Sequence, residues 1–471
     1  MDFLGGDWVQ HVLANYSYAA IFVVVMLESA GVPLPGETIL VSAAAYAGHE
    51  HSLDIRYVIA AAAGGAIFGD NVGFWVGRKY GTSLLSKWGH LIGDDDAEDR
   101  GRSRAAEGAQ EMKHRTLGHT GLIVSEVALG SMQFGGKMNM GNLGQQDTTR
   151  MVKLALDRGI NLIDTADVYS LGESETLLGN ALKGIREEMV LATKVRLPMG
   201  ENFNRSGATR VNIMREVEGS LRRLQTDYID LYQVHGWDSN TPLEETLRTL
   251  DDLVRQGKVR YVGLSNLMSW QAATAVMLQE RLGLEKYVTA QMYYSLVGRG
   301  LEHEFQSFAE YHNIGILVWS PLAGGFLAGK YSRDNPPPGG SRFADAGQFV
   351  PFDREMGYHV VDALKEVAAR HGASPAQVAI AWVLGRPAVS SVIVAARKAE
   401  QLEDNIRAVE LRLLDDDVRQ LDAASDPGIP YPKWMVLQLD TAEDPRSRIL
   451  HPERYAEGGP WKDLRGTRWS G

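Results

Sequence analysis

The stretch Ile229-Asp230-Leu231-Tyr232-Gln233-Val234-His235 is a short apolar run, rich in branched side chains, that ends on polar residues. A run of this kind is typical of a buried parallel strand. Seven further runs have the same character: Val124–Gly130, Ile160–Asp164, Met189–Lys194, Val259–Ser265, Thr289–Met292, Gly315–Trp319 and Ser391–Val394. Eight such runs, alternating with longer amphipathic stretches, predict an α/β fold of the (β/α)8 TIM-barrel type.

The stretches between these runs predict helices. One has apolar residues at helical spacing between Val211 and Leu224. Another begins at Thr241-Pro242-Leu243-Glu244, which predicts a capping box with proline at the first helical position, and it ends at Gly257. An open doubly wound sheet would also alternate strands with helices, but no G-x-G-x-x-G follows an early strand. We therefore expect the barrel, with its chemistry at the C-terminal ends of the strands.

Composition limits the remaining possibilities. The 471 residues include no cysteine, which excludes disulfides, thiolate nucleophiles and Cys-bound metals. The net charge of -11 offers no basic surface for nucleic acid. A charged stretch with few apolar residues separates an apolar N-terminal part from the rest and indicates a flexible linker. The predicted domains are a short all-helical membrane segment at 1–92, the linker at 93–111, the barrel at 112–430 and a C-terminal tail at 431–471.

The N-terminal segment has two long apolar runs. Tyr18–Leu27 and the prolines after it predict a discontinuous helix, whereas Tyr57–Val76 is about long enough to span a bilayer. No Lys or Arg precedes Arg56, so a cleaved signal peptide is not expected. Carboxylates inside such a segment are costly and indicate proton or ion contacts, although they could equally cap helix ends or lie at the interface: Glu28, Glu37 and Asp70.

Three strings in this segment, Glu28-Ser29-Ala30-Gly31-Val32-Pro33-Leu34-Pro35-Gly36-Glu37, Gly69-Asp70-Asn71 and Gly77-Arg78-Lys79-Tyr80-Gly81, resemble the DedA (VTT-domain) family of membrane proteins over about residues 10–92. The resemblance implies lipid or proton-coupled transport, but it covers only the front half of such a domain. The segment could instead be an anchor, or the chain could be a join of neighbouring reading frames. Basic residues after the second run predict that the barrel lies on the cytoplasmic side of the cell membrane; with a start at Met112 it would be cytoplasmic.

Polar side chains fall at the ends of three successive predicted strands: Asp164, with Tyr169 five residues later, then Lys194 and then His235. Each alone could be a cap or a core group, but together at the top of one barrel they point to catalysis. Hydride reduction of a carbonyl leaves an oxygen that needs a proton, and a tyrosine with its ordinary pKa of about 10 is a poor donor. A Lys ammonium held by a buried carboxylate would make the phenol more acidic, and the histidine would orient the carbonyl.

The strings Asp164-Thr165-Ala166-Asp167-Val168-Tyr169, Ala192-Thr193-Lys194, Gln233-Val234-His235 and Gly263-Leu264-Ser265-Asn266 resemble the aldo-keto reductase superfamily over about residues 112–430. The resemblance implies NADPH-dependent reduction of an aldehyde or ketone to an alcohol. In that scheme Tyr169 is the proton donor, Lys194 and Asp164 activate it, and His235 orients the carbonyl.

The same resemblance implies the residues that bind NADPH. At the nicotinamide, Ser265, Asn266 and Gln291 would hold the carboxamide and Trp319 would stack on the ring. The glycine-rich segment that follows Trp319 resembles the pyrophosphate loop, with these residues implied as contacts: Ser320, Leu322, Gly324 and Lys330. A later segment resembles the final cofactor motif, with Arg397 on the 2′-phosphate and with Gln401 and Asn405 on the adenosine. Val394-Ala395 replaces the family's Pro-Gly ahead of that motif, so the NADP preference is less firmly implied than the activity.

Substrate specificity is expected in the loops that follow the strands. Met132, Phe134 and Trp237 predict an apolar pocket for a small carbonyl substrate, and the insert Arg333–Asp353 could cover the cofactor. The histidines are dispersed, so no metal site is predicted. Two other functions stay open. One is an NADPH-binding, redox-sensing regulatory subunit, because the superfamily includes channel-associated members; the other is membrane transport through the N-terminal segment.

Overall fold

The computed structural model describes residues 18, 19, 21–27, 29, 54, 56–66, 68, 69, 112–139, 141–335 and 350–441. The chain divides into two compact units, Met1–Ala109 and Gln110–Gly471. The second unit contains all the strands of the described residues.

This second unit begins with an antiparallel hairpin of two short strands, β1 His114–Thr116 and β2 Ile123–Ser125. The predicted strand Val124–Gly130 is therefore wrong in extent, because its first residues belong to the hairpin and the barrel strand begins only at Val127. Leu117 and Val124 of the hairpin region are fully buried in the barrel interior beside Leu162 and Leu231. The hairpin thus closes the barrel at the end where the strands begin.

Eight parallel strands form the closed barrel. They are β3 Val127–Gly130, β4 Leu162–Asp164, β5 Val190–Val195, β6 Ile229–Val234, β7 Val259–Ser265, β8 Tyr287–Tyr293, β9 Gly315–Trp319 and β10 Val389–Val394. Each strand pairs with the next in sequence, and β10 closes the ring on β3. Nearly all of their side chains are buried, as expected for a sheet covered on both faces. The predicted barrel is confirmed.

Helices cover the outside of the barrel. The described ones are α1 Gln145–Asp157, α2 Glu173–Ala181, α3 Arg210–Leu224, α4 Leu243–Arg255, α5 Ser269–Leu282, α6 Phe305–Tyr311, α7 Arg354–His371, α8 Pro375–Leu384, α9 Ala399–Ile406, α10 Asp415–Ala424 and α11 Lys433–Thr441. The large hydrophobic core lies between them and the strands. The fold therefore leaves the loops at the strand ends as the place for a functional site.

The two predicted helices are present, but the capping box predicted at the start of the second helix is absent. The helix predicted from Val211 to Leu224 is α3. Helix α4 follows Pro242 without any side-chain cap, because the Thr241 hydroxyl donates to Asp238 Oδ2 at 2.6 Å instead of accepting from the helix. Gly257, with φ +73°, follows the end of α4 as predicted.

In the first unit, residues 21–27 and 56–66 are helical, and Ile21, Val25 and Val58 form a small buried cluster. No helix within the described residues combines the length and apolar character needed to cross a bilayer. The predicted carboxylates Glu28, Glu37 and Asp70, and the linker at 93–111, lie outside the described residues.

The predicted tail at 431–471 is partly described. It contains helix α11, and the Lys433 ammonium donates to the carbonyl of Glu302. This contact joins the beginning of the tail to the loop after β8. Residues 442–471 and the middle of the insert, 336–349, lie outside the described residues.

Candidate active site

Three of the predicted catalytic side chains meet at the ends of two neighbouring strands. Asp164 is the last residue of β4, and Lys194 lies near the end of β5, which pairs with β4. The Lys194 ammonium donates to Asp164 Oδ1 at 2.6 Å, to the Thr165 carbonyl at 2.8 Å and to the Tyr169 hydroxyl at 3.1 Å. All three of its hydrogens are therefore used. The fully buried ammonium is held beside the phenol by two oxygens of the β4 end.

Asp164 is in turn held from the far side of the barrel. Its Oδ2 accepts from the side-chain amide of Gln291 at 2.7 Å and from that of Gln233 at 3.3 Å. Gln233 is on β6 and Gln291 on β8, so four strands converge on one carboxylate. A buried ion pair is costly unless its remaining hydrogen-bonding capacity is satisfied. The two amides supply hydrogen bonds to the Asp164 carboxylate, whose negative charge neutralises the positive charge of the Lys194 ammonium.

Burial and charge act in opposite directions on the two coupled groups. Burial alone would lower the pKa of Lys194, but Asp164 and Tyr169 outweigh it and raise the pKa above its ordinary value. Burial raises the pKa of Tyr169, and the Lys194 ammonium offsets only part of that rise. Lys194 thus lowers the pKa of the phenol, in the expected direction, but burial has the larger effect and leaves the pKa of Tyr169 above its ordinary value. Tyr169 keeps its proton at neutral pH, beside a cation that stabilises the phenolate once the proton leaves.

His235 stands next to this group at the end of β6. Its backbone N–H donates to the Val195 carbonyl at 2.9 Å, and its ring meets the Tyr169 ring edge-on with centroids 6.0 Å apart. Burial, followed by the charges of Lys194 and Arg196, lowers the pKa of His235 to about 3. The imidazole is therefore neutral at physiological pH. It can donate one hydrogen bond, but it lacks the second ring proton that an imidazolium could give to a substrate.

The residues predicted at the nicotinamide lie together at the ends of the next three strands. The Ser265 hydroxyl donates to the Gln291 carbonyl at 2.8 Å, which links β7 to β8. Asn266, with φ +55°, accepts from the Trp319 indole N–H at 3.1 Å and so links β7 to β9. The Trp319 ring lies 5.1 Å from the Tyr293 ring. These contacts form an aromatic and amide surface beside the Lys194 group.

The predicted pyrophosphate loop follows β9. Its backbone has positive φ at Ser320 (+53°), Ala323 (+47°), Gly324 (+67°) and Gly325 (+96°). Successive turns of this kind make concavities lined with backbone N–H groups that bind anions. The Ser320 hydroxyl accepts from the Gly324 N–H at 3.0 Å, which holds the turn. Leu322 is half-buried and Lys330 is exposed. This loop conformation fits a pyrophosphate.

The last predicted cofactor motif lies at the start of α9. Arg397 is exposed, its backbone N–H donates to Gln401 Oε1 at 3.2 Å, and its side chain donates to Gln133 Oε1 at 3.4 Å. Lys398 beside it is exposed, whereas Asn405 is buried at the other end of the helix. Two cations thus face solvent at the edge of the site.

The predicted substrate residues separate into two groups. Trp237 pairs with Trp270 at a centroid distance of 5.7 Å, and Met132 is half-buried. Phe134, in contrast, is only 1% exposed and packs in the large core. The prediction that Phe134 lines a substrate pocket is corrected, because its ring fills the space between the barrel and the helices.

Two site residues were missed by the sequence analysis. Arg196 directly follows β5 with φ +133°, and Trp270 is the second residue of α5, the helix after β7. Arg196 lies two residues after Lys194, a spacing that returns a strand side chain to the same face and was an available signal. Trp270 carries no such signal. Among the described residues, no group of His, Asp or Glu side chains is arranged to hold a metal ion.

Comparison with known proteins gives matches over this same part of the chain. The model of the Aldo/keto reductase family matches residues 126–426. The "Uncharacterized oxidoreductase YrpG" of Bacillus subtilis (strain 168) is 38% identical over 335 residues, 68% of this chain and 99% of that protein. The "Versiconal hemiacetal acetate reductase" of Aspergillus parasiticus is 32% identical over 68% of this chain and 99% of its own length.

The name of a third relative indicates a different role for that protein. The "Probable voltage-gated potassium channel subunit beta" of Oryza sativa subsp. japonica is 33% identical over 64% of this chain and 92% of its own length. The family match lies outside residues 10–92 and gives no support to the resemblance of those residues to the DedA family.

Proposed function

Because the chain belongs to the aldo/keto reductase family, an oxidoreductase family whose members generally use NAD(P)H, we propose that it reduces an aldehyde or ketone to the alcohol with NADPH. The observation that carries the proposal is the Lys194 ammonium between Asp164 and the Tyr169 hydroxyl. When bound, the reduced nicotinamide supplies the hydride that reaches the carbonyl carbon. The protein's own residues supply the proton and the orientation.

Tyr169 acts as the proton donor. Its phenol is protonated at neutral pH, and as negative charge develops on the carbonyl oxygen the proton moves from the phenol to that oxygen. The ammonium 3.1 Å away stabilises the phenolate that remains. Asp164 keeps the ammonium charged and in place, and it therefore acts through Lys194 rather than on the substrate.

His235 orients the carbonyl. A neutral imidazole offers one N–H to the carbonyl oxygen and cannot compete with Tyr169 as the acid. The edge-on contact between the two rings keeps the two side chains side by side in the site. This arrangement divides the roles, with one group that gives the proton and another that holds the oxygen.

NADPH is the proposed cofactor, in preference to NADH. Ser265, Asn266, Gln291 and Trp319 would hold the nicotinamide, and the loop with Ser320, Leu322, Gly324 and Lys330 would hold the pyrophosphate. Arg397 and Lys398 are exposed cations where the motif places the 2′-phosphate, and Gln401 and Asn405 would contact the adenosine. A guanidinium binds a phosphate dianion more strongly than a hydroxyl. Removal of the Arg397 guanidinium should therefore weaken the binding of NADPH more than the binding of NADH.

The proposal is tested by following NADPH absorbance with an aromatic aldehyde and the full chain, for the wild type and Tyr169→Phe. We expect steady turnover in the wild type and a loss of about 100-fold or more in kcat for the variant, with NADPH affinity retained. NADH, run in parallel, should give a lower kcat/KM. Equal turnover by Tyr169→Phe would remove Tyr169 from the proton-donor role.

A second candidate function is a redox-sensing regulatory subunit. The similarity to a protein named as a potassium channel subunit beta favours it. A single burst of NADPH oxidation without steady turnover in the unmutated protein would support this alternative. Sustained turnover would favour the reductase.

The membrane association of residues 10–92, with the barrel on the cytoplasmic side, stays a prediction from the sequence, as does transport through that segment. Fractionation of cells that express the full chain would test the association. Recovery of the full chain in the membrane pellet, and of a chain that starts at Met112 in the supernatant, would support it.

A further inference from the structure

Arg196 lies level with His235 at the mouth of the barrel. The register of β5 and β6 pairs Val195 with Val234, so the next residue of each strand end is Arg196 and His235. The Arg196 carbonyl accepts from the Gly207 N–H at 2.8 Å, and its guanidinium donates to the Trp237 carbonyl at 2.9 Å. Its backbone is therefore held by Gly207 in the loop after β5, and its side chain by Trp237 in the loop after β6, a residue predicted to line the substrate pocket.

This guanidinium has no ion-pair partner among the described residues. Its Nε is buried without a hydrogen bond in that part of the chain, and the side chain is half-buried. The charge of Arg196 acts on the carboxylate of Asp238, but the oxygens of Asp238 already accept from Thr241, Ala208 and Asn240. A partly desolvated cation with unused donors is costly unless an anion completes it.

The backbone at Arg196 has a strained conformation, so the position of this side chain is maintained at a cost in free energy. Arg196 has φ +133°, a conformation that favours glycine and costs a larger residue about 1–3 kcal/mol. Such strain persists where the surrounding structure holds a side chain in a particular direction, and it is frequent at ligand-binding sites. Here the hydrogen bonds with Gly207 and Trp237 hold Arg196 in place.

We propose that Arg196 binds a carboxylate of the substrate, so that the preferred substrates are carbonyl compounds that also carry a carboxylate. This rests on the proposed reductase function and names the substrate class for the same site. The guanidinium can bind a carboxylate through two N–H groups, while His235 and Tyr169 take the carbonyl oxygen. Two fixed points then orient the substrate. Trp237 and Trp270 lie beside them as an apolar wall.

The test compares two substrates of similar size, 4-carboxybenzaldehyde and its neutral methyl ester, with the full chain. The variants are Arg196→Gln, whose amide can still donate to the Trp237 carbonyl, and Arg196→Lys, which keeps the charge. Arg260→Gln is the matched control, because Arg260 is exposed at the opposite end of β7. Thermal unfolding of each variant checks that it folds.

We expect the wild type to prefer the acid. Arg196→Gln should lose about ten- to hundredfold in kcat/KM for the acid, mainly through KM, and less than about threefold for the ester. Arg196→Lys should keep part of the preference, and Arg260→Gln should keep all of it. Tryptophan fluorescence titrated with terephthalate gives a binding readout without turnover, and its Kd should rise in Arg196→Gln by a similar factor.

Equal loss for both substrates in Arg196→Gln, or a wild type that does not distinguish them, would overturn the assignment of Arg196 while the reductase function stands. Unchanged terephthalate binding in Arg196→Gln would overturn it as well. Absence of turnover with either aldehyde would instead overturn the reductase function and, with it, the substrate class.

Discussion

Lys194 donates to Asp164, to the Thr165 carbonyl and to Tyr169, so its orientation is determined completely by the ends of β4 and β5. The consequence for catalysis is that the cation does not have to move when the phenol loses its proton. A preorganised charge stabilises a developing anion without the cost of reorientation. Burial keeps Tyr169 protonated and His235 neutral; the charge of Lys194 opposes burial in its effect on the pKa of Tyr169 and adds to it in its effect on the pKa of His235.

The neutral state of His235 predicts a dependence of stability on pH. The unfolded chain protonates this histidine near its ordinary pKa of 6.5, whereas the folded protein does so only near 3. Between these values the unfolded state binds more protons, so stability is lost as the pH falls below about 6.5. We expect His235 to account for a loss of about 1 kcal/mol in the free energy of unfolding between pH 7 and pH 5.5.

The measurement is urea unfolding of the wild type and His235→Gln at both pH values. The difference between the two proteins isolates the histidine, because all other groups titrate in both. The wild type should lose more stability than the variant. An identical pH dependence in the two proteins would show that His235 titrates normally in the fold.

At the scale of elements, helix α8 shows how a short local signal fixes one boundary. Ser374 accepts from the Gln377 N–H at 3.2 Å, and the Gln377 side chain accepts from the Ser374 N–H at 3.2 Å. Pro375 occupies the first helical position. These contacts satisfy donors that a helix start leaves free. Helix α8 is buried along nearly its whole length, so its start must be defined accurately for the rest to pack.

We therefore expect Ser374→Ala to lower the free energy of unfolding by about 1–2 kcal/mol, because it removes the cap and the 2.8 Å bond from the Ser374 hydroxyl to Asp404. Denaturation by urea would measure this loss. Ser307→Ala is the control, since that hydroxyl is exposed and, within the described part of the chain, bonds only to a carbonyl of its own turn. It should change stability by less than about 0.5 kcal/mol. Equal effects of the two substitutions would contradict the capping role.

At the scale of the whole molecule, residues 110–471 form one compact unit with its own hydrophobic core. The hairpin β1–β2 supplies Leu117 and Val124 to the barrel interior. About two thirds of this chain covers 92–99% of the length of the Bacillus subtilis, Aspergillus parasiticus and Oryza sativa relatives. The catalytic unit is therefore expected to need no contact from the rest.

We predict that residues 110–471, produced alone, unfold cooperatively and reduce aldehydes with a kcat/KM within about twofold of the full chain. A second truncation, 126–471, removes the β1–β2 hairpin and so exposes the barrel interior at the end where the strands begin. It should unfold at a clearly lower temperature, because buried apolar residues of the interior lose their partners. Steady-state kinetics and thermal unfolding measure both. Lower stability of 110–471 than of the full chain would contradict the independence of the unit.

The sequence by itself determined the barrel and the positions of its chemistry. Short runs of branched residues form strands because strand formation depends on local pattern, and the parallel barrel then brings their polar ends to one face. Asp164, Tyr169, Lys194 and His235 could be predicted in this way, whereas the pyrophosphate loop after Trp319 was implied by the family resemblance.

Only the tertiary structure decided which side chains meet and what surrounds them. Gln291 reaches Asp164 across 127 positions of sequence, and the register of β5 and β6 places Arg196 beside His235. The ring of Phe134 turned out to fill the core, and the burial of Tyr169 outweighs the charge of Lys194 on its pKa. Contacts, burial and pKa values depend on packing between distant segments, and no local pattern contains that information.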